Sequence, residues 1–363
     1  MTNSITIQEL QINKADLSKC HWASRSVDAL QSGQVLLKIH HFAFTSNNVT
    51  YGVTGESFSY WEFFPAEEGH GIIPVWGFAT AEQSEHPEVA VGTRLYGYYP
   101  MADRLVIEPV KVTPTNIVDG IAHRAKLPMI YNSYIPSDTD PMYTADSEPM
   151  QMLFRPLFAT AYLVGDMMES QKLFGAESVI FTSASSKTAY SSAAVLKQLN
   201  CVPGEIIGLT SASNKVFTES TGLYDRVVAY EDITSLAAGP ACIVDMAGNG
   251  DVLGDIYRHF GSHIKHNAAI GKTHWKTGGV PKGLDGARPT VFFAPAWYEK
   301  RMAEIGGKAL NQGLGMAWAQ FAKHAASLVN VKTGSGTGAI SGCYLTMLSG
   351  KVDPADGHIL SLN

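Results

Sequence analysis

From residue 178 to residue 294, short apolar runs recur between stretches of helical texture, and this spacing limits the possible folds more than any other feature. The runs are Ser178–Thr182 (SVIFT), Glu205–Thr210 (EIIGLT), Arg226–Tyr230 (RVVAY), Ala241–Asp245, His263–Ile270 and Thr290–Ala294. Runs this short, rich in Val and Ile, suit strands buried on both faces. Thr188–Leu199 reads as a helix between the first two, and Asn214–Thr221 as a shorter one. Strands alternating with helices predict a doubly wound, mostly parallel sheet. Leu153–Met168 predicts a helix ahead of this region. Asn311–Leu328 predicts one behind it, followed by polar turns and a last strand at Ile359–Leu362.

The N-terminal third has a different texture. Gln34–Phe44, Gly71–Phe78, Thr93–Tyr99, Arg104–Pro109 and Lys111–Thr113 read as strands, with glycines such as Gly52, Gly69 and Gly92 between them. This predicts a small β-barrel or sandwich. Residues 114–152 include NSYIPSDTDPMYTADSEPMQ, rich in Pro, Ser, Thr and Asp. That stretch reads as a long surface loop at a domain boundary. Length agrees, since 363 residues at roughly 100–200 per domain make two domains the default.

Composition removes several function classes. Hydrophobic residues make up 45% and charged residues 17%, enough apolar side chain for a sizeable core. A net charge of −6 gives no electrostatic case for nucleic acid across the whole surface. No run approaches the ~18 apolar residues that span a membrane. The start, MTNSITIQELQINKADL, has no apolar core of the secretory type. Cys20, Cys201, Cys242 and Cys343 are far apart, which excludes a CxxC metal knuckle and argues against a disulfide framework. The expected compartment is a reducing cytoplasm.

The loop after the first parallel strand is Ser183-Ala184-Ser185-Ser186-Lys187-Thr188-Ala189, leading into a helix. A dinucleotide site needs small residues there, so that the backbone approaches the pyrophosphate and offers N–H groups at a helix N-terminus. Every residue but Lys187 is small, yet none is glycine, so the GxGxxG fingerprint is missing. The alternative is an ordinary capped strand–helix turn. The second strand ends at Thr210, and Ser211-Ala212-Ser213-Asn214-Lys215 follows without an acid. A carboxylate there would hold a ribose 2′-hydroxyl. Ser211, Ser213 and Lys215 instead suit a 2′-phosphate, which wants donors and positive charge. The plainer reading of Lys215 is a solvated first-turn residue.

Several stretches resemble the medium-chain dehydrogenase/reductase superfamily, in its zinc-independent quinone-oxidoreductase and enoyl-reductase branch. Thr45–Gly55 (TSNNVTYGVTG) resembles its substrate-side Asn–Asp–Tyr–Gly loop, and Glu68-Gly69-His70-Gly71 its Gly-His-Glu turn. Ala159-Thr160-Ala161-Tyr162 resembles the Thr-Ala-Tyr of the helix before the nucleotide fold. Ser211 and Lys215 match its residues on the 2′-phosphate, Tyr230 a tyrosine after the third strand, and Met347–Leu362 the C-terminal closure. Within this branch the chain resembles an uncharacterised subfamily known only as a domain of unknown function. The sequence departs from the pattern where Ser-Ala-Ser-Ser-Lys-Thr-Ala replaces the glycine-rich turn. It departs again where Val49 or Thr50 replaces the aspartate.

The resemblance implies an α/β chain with a GroES-like β-barrel domain at 1–152 and 326–363, and a Rossmann domain at 153–325. It implies NADP as cofactor and hydride transfer to an activated C=C or C=O of a small apolar substrate, in a homodimer. The alternative is a non-catalytic NADPH-binding sensor or structural subunit on the same fold. Ligands of such sheets lie at the carboxyl ends of the strands. The expected cofactor residues are Thr160, Ala184, Ser185, Ser186, Lys187, Thr188, Ser211, Ser213, Lys215, Tyr230, Ala247, Asn267, Phe293 and Ala294. Asn47, Asn48 and Tyr51 are expected opposite them, across a cleft between the domains. Tyr51 is either a proton donor or an aromatic wall. Asn47 and Asn48 either orient a ligand or form a turn. Lys187 either touches the pyrophosphate or points to solvent.

No metal is expected. The stretch before Asn47 has no Cys and Gly71 follows His70, so three ligands cannot be assembled there. His259, His263, His266 and His274 lack ligand spacing. No GxSxG elbow supports a hydrolase. The aromatics Tyr51, Phe58, Tyr60, Trp61, Phe63, Phe64, Tyr96, Tyr98 and Tyr99 exceed what a small core needs, which suggests an apolar substrate surface or a subunit interface.

Overall fold

The structure is a computed structural model that describes residues 4–271 and 282–362. The chain divides into two compact units, one of Met1–Leu153 with Asn330–Asn363 and one of Phe154–Val329.

The first unit begins with β1 (Ile5–Asn13), β2 (Cys20–Val27), β3 (Val35–Phe44), α1 (Ser46–Val53), β4 (His70–Gly71) and β5 (Pro74–Ser84). It continues through β6 (Arg94–Pro100), β7 (Arg104–Ile107), β8 (Pro109–Thr113), β9 (Asn116–Asp119) and β10 (Ser133–Pro136). Helix α2 (Glu148–Ser170) then leads into the second unit. That unit holds β11 (Ser178–Phe181), α3 (Lys187–Leu199), β12 (Ile206–Thr210), α4 (Lys215–Ser220), β13 (Arg226–Ala229), β14 (Ala241–Asp245) and α5 (Gly250–Phe260). It ends with β15 (Ile264–Ala269), β16 (Pro289–Val291), α6 (Ala294–Ile305) and α7 (Gly307–Ala325). The chain returns to the first unit with β17 (Asn330–Ser335), α8 (Gly336–Leu348) and β18 (Asp356–Ser361).

The second unit is built on a six-stranded parallel sheet in the order β13-β12-β11-β14-β15-β16. Strand order reverses between β11 and β14, the switch point at which such sheets bind ligands. Strands β11, β12 and β14 read as continuous apolar runs because they are buried along almost their whole length. Ile180, Leu209, Ile243, Ile256, Tyr257 and Phe260 form one buried cluster. The first unit carries a three-stranded sheet, β2-β1-β4, and a nine-stranded one, β17-β18-β3-β5-β6-β10-β9-β8 with β7 on β3. Among the described residues no helix is long and apolar enough to cross a membrane.

Four local expectations need correction. Residues 114–152 are not an open loop, because β9 and β10 lie inside the nine-stranded sheet. These strands are four residues each, too short to show a period among turn-forming residues. The segment is also anchored from within. Arg124, 1% exposed, donates from Nε to Asp119 at 2.8 Å and from Nη1 to the Phe63 carbonyl at 3.1 Å. Second, Thr45–Gly55 is not a loop, since Ser46–Val53 forms α1. Third, the polar turns expected before the last strand are helix α8. Its glycines hide a buried stripe of Ile340, Tyr344 and Met347 at helical spacing. Fourth, the run at Thr290–Ala294 is strand only to Val291, because Pro295 opens α6 in its first turn.

Candidate cofactor site

The turn after β11 is shaped by tertiary contacts instead of glycine. Ser183 adopts φ +46°, a left-handed conformation that costs a side-chain-bearing residue on the order of 1–2 kcal/mol. Its N–H donates to the Tyr230 hydroxyl at 2.9 Å. Ala184 is fully buried, with its N–H on the Leu209 carbonyl at 2.9 Å and its own carbonyl accepting the Tyr224 hydroxyl at 2.9 Å. Its methyl fits because residue 208 on β12 is glycine. A Cβ at Gly208 would meet the Ala184 Cβ at 2.9 Å. Ser185 Oγ accepts from Asn214 Nδ2 at 3.2 Å. Ser186 caps α3, accepting the Ala189 N–H at 3.4 Å. Lys187 and Thr188 form the partly exposed first turn of α3.

At the end of β12 the chain is polar and carries no carboxylate. The Ser211 and Ser213 hydroxyls are 3.0 Å apart. Lys215 opens α4, 40% exposed, with Nζ 3.9 Å from Glu219 of the next turn. Two hydroxyls and an accessible ammonium are a donor set for a phosphate.

Two residues missed in the sequence link the turn after β11 to those after β14 and β15. Thr182 donates to Asp245 Oδ1 at 2.6 Å and accepts the Met246 N–H at 3.0 Å. Asp245 Oδ1 also accepts the N–H groups of Ala247 and Gly248, each at 3.2 Å. The Asp245 carbonyl accepts from Ile270 at 2.8 Å and Gly271 at 3.4 Å. Both side chains are 2% exposed. The available signal was a polar residue closing each of the apolar runs SVIFT and ACIVD. It is faint, because many strands end that way.

The remaining expected cofactor residues sit as follows. Ala247 is buried in the loop after β14, its N–H on Asp245. Asn267 is fully buried on β15, donating to the Tyr257 hydroxyl at 3.0 Å, and its Oδ1 has no partner among the described residues. Phe293 caps α6 and Ala294 is its first residue. The neighbouring Phe292 N–H bonds the Ala269 carbonyl at 3.0 Å. Thr160 lies on α2, its hydroxyl on the Pro156 carbonyl at 3.4 Å. The histidines are dispersed. His259 bonds the Leu236 carbonyl at 2.8 Å, His266 stacks on Phe174 with centroids 3.8 Å apart, and His263 is exposed. His274 lies outside the described residues. Among those described, no three His, Cys, Asp or Glu side chains come together as a metal-holding group.

In the first unit, α1 fixes the other expected residues. Asn48 is spent on structure. Its Oδ1 accepts the Thr45 N–H at 2.8 Å and its Nδ2 donates to the Pro74 carbonyl at 2.9 Å, which together cap α1 and tie it to β5. Asn47, partly buried, lies one helical turn before Tyr51 on α1. Trp76 Nε1 donates to the Tyr51 hydroxyl at 3.5 Å. Burial raises the Tyr51 pKa above the usual phenol value, partly offset by the neighbouring Trp76 and Asn47 side chains. Tyr51 is 6% exposed and packs on Tyr60 at 4.5 Å and Tyr98 at 5.8 Å between centroids. The aromatic surplus is largely one core, since Tyr60, Trp61, Phe63, Phe64, Tyr96, Tyr98 and Tyr99 are all buried. Gly71 stands where the resemblance has an acid for a steric reason. Trp61 leaves no room, as a Cβ at Gly71 would lie 2.4 Å from its ring.

A GroES-like β unit and a Rossmann unit are the fold that this chain shares with the solved structures it resembles. Within that architecture the chain belongs to the family described as Protein of unknown function (DUF2855), whose model matches residues 42–353. No curated protein matches its sequence. Among solved structures it is similar to CurA from Vibrio vulnificus in complex with NADPH. The TM-score is 0.64 and the identity 13%, over 98% of this chain and 99% of that one. It is also similar to the CurK enoyl reductase, at TM-score 0.58 and 14% identity over 98% and 99% of the two chains. A mutant of Etr1p in complex with NADP and crotonyl-CoA matches at TM-score 0.58 and 12% identity, over 99% and 100%.

Proposed function

We propose that the chain is an NADPH-dependent reductase that passes hydride to an activated C=C or C=O of a small apolar substrate without a metal. The observation that carries this is the turn after β12, where Ser211, Ser213 and Lys215 follow one another with no acid among residues 211–215. The residues present fit the cofactor. The 183–188 turn supplies small side chains ahead of α3, and the 211–215 turn supplies two hydroxyls and an ammonium for a 2′-phosphate. NADPH supplies the hydride; the protein binds it, orients it and provides a proton. Tyr51 is the proposed proton donor. A phenol is protonated at neutral pH, burial raises this one further, and Trp76 Nε1 donates to its hydroxyl.

Titrating the protein with NADPH by fluorescence, then following NADPH oxidation with a panel of quinones and enones, tests the reading. Binding and turnover are expected, with NADPH bound more tightly than NADH. Tyr51→Phe should lower turnover by on the order of 10²-fold with NADPH affinity kept. A near-normal rate would reduce Tyr51 to packing. Binding without turnover across the panel would make the chain a cofactor-binding protein only.

A further inference from the structure

We infer that Thr182 and Asp245 are a pair of positioning residues that hold the cofactor loops in their binding shape, replacing the order a glycine-rich turn provides elsewhere. The inference rests on the NADPH reading above. Three segments at the carboxyl edge of the parallel sheet are expected along the cofactor: the turn after β11, the turn after β14 and the turn after β15. All three meet at Asp245. Its Oδ1 receives Thr182 from the first, and Ala247 and Gly248 from the second. Its backbone carbonyl receives Ile270 and Gly271 from the third. Thr182 closes the brace by accepting the Met246 N–H while donating to the carboxylate.

The chemistry explains why these two residue types are needed. A hydroxyl can accept one bond and donate another at once, and an ionised carboxylate accepts several. Serine, not glycine, occupies the left-handed position 183, so the turn cannot rely on an unstrained backbone. A buried brace on the preceding residue holds it. Neither side chain is accessible enough to bind the nucleotide itself at 2% exposure. Their effect on the cofactor must therefore pass through the backbone of residues 183 and 246–248.

The experiment measures NADPH dissociation constants by fluorescence, melting temperatures, and hydrogen exchange of the 246–248 amides in the cofactor-free protein. Thr182→Val keeps the shape and removes both bonds; Thr182→Ser keeps the hydroxyl. Ile256→Val, a core change on α5, serves as a stability control. Thr182→Val is expected to bind NADPH about tenfold more weakly, the factor that ~1.4 kcal/mol of lost loop order produces. Its 246–248 amides should exchange faster. Thr182→Ser should restore both. Ile256→Val should lower the melting temperature with affinity unchanged. Equal affinity for parent and Thr182→Val overturns the inference, as does an affinity loss in Ile256→Val of the same size. Should Thr182→Val not fold, the parent decides, because freely exchanging 246–248 amides in it would show that no brace exists. A parent that binds no NADPH overturns the cofactor reading instead, and the exchange data still report on the brace.

Discussion

The hydroxyl of Tyr230 accepts the backbone N–H of Ser183 at 2.9 Å. One residue follows the third parallel strand and the other follows the first, and the bond steadies a serine at φ +46°. Tyr230→Phe should leave that N–H unpaired in a part-buried place. A loss of about 1–3 kcal/mol of stability is expected, together with weaker NADPH binding. Urea unfolding and a fluorescence titration measure the two effects. An unchanged unfolding midpoint would show that the bond holds nothing.

Lys215→Ala should weaken NADPH by about 1–3 kcal/mol and leave NADH almost untouched, because only NADPH carries the 2′-phosphate. The contact with Glu219 is long, 3.9 Å, so the ammonium is readily recruited. Equal losses for the two cofactors would move Lys215 to the solvated surface.

Arg124 and Asp119 form an ion pair that is 1% and 0% exposed. The guanidinium also lies over the Phe64 ring, 5.1 Å from its centroid. Removing the cation alone strands a buried carboxylate. Arg124→Met is expected to cost about 3–5 kcal/mol, and Arg124→Met with Asp119→Leu should recover part of it. Chemical denaturation of the single and double variants reads this directly. A double variant no better than the single one would point instead to lost packing on Phe64 and to the Glu108 and Ile121 N–H groups that Asp119 Oδ1 accepts.

His266 is held below the usual histidine pKa by burial, with its ring against Phe174. Burial likewise lowers His40 and His123, aided by Arg94 and Arg124 respectively. Because the folded state resists protonation, the unfolded state takes up protons first as pH falls. The stability held by the neutral rings is present above the unfolded pKa of about 6.5 and is lost as pH falls below it. Melting temperature should drop from about pH 7.5 to about pH 5.5. His266→Phe keeps a ring on Phe174 and should flatten that slope. An identical slope in the variant would exclude His266 as a contributor.

The parallel sheet was legible in the sequence because strands buried on both faces must be apolar throughout. SVIFT, EIIGLT and ACIVD therefore stand out without any knowledge of their neighbours. The polar turn at Ser211–Lys215 was legible for a similar reason: a missing acid is a statement about composition at one place. Short elements were not. Strands β9 and β10 are too brief to show a period, and α8 is made of residues that favour turns until Ile340, Tyr344 and Met347 find a core. Nor could sequence decide what each polar side chain is spent on. Asn48 caps a helix while Asn47, next to it, stays partly exposed. Thr182 and Asp245, sixty-three residues apart, meet only because β11 and β14 are neighbours in the sheet. The chain alone determined which segments bury apolar surface, since that depends on local side-chain chemistry. Only the tertiary structure decided which hydrogen bonds those segments make, because the partners come from distant strands brought together by packing.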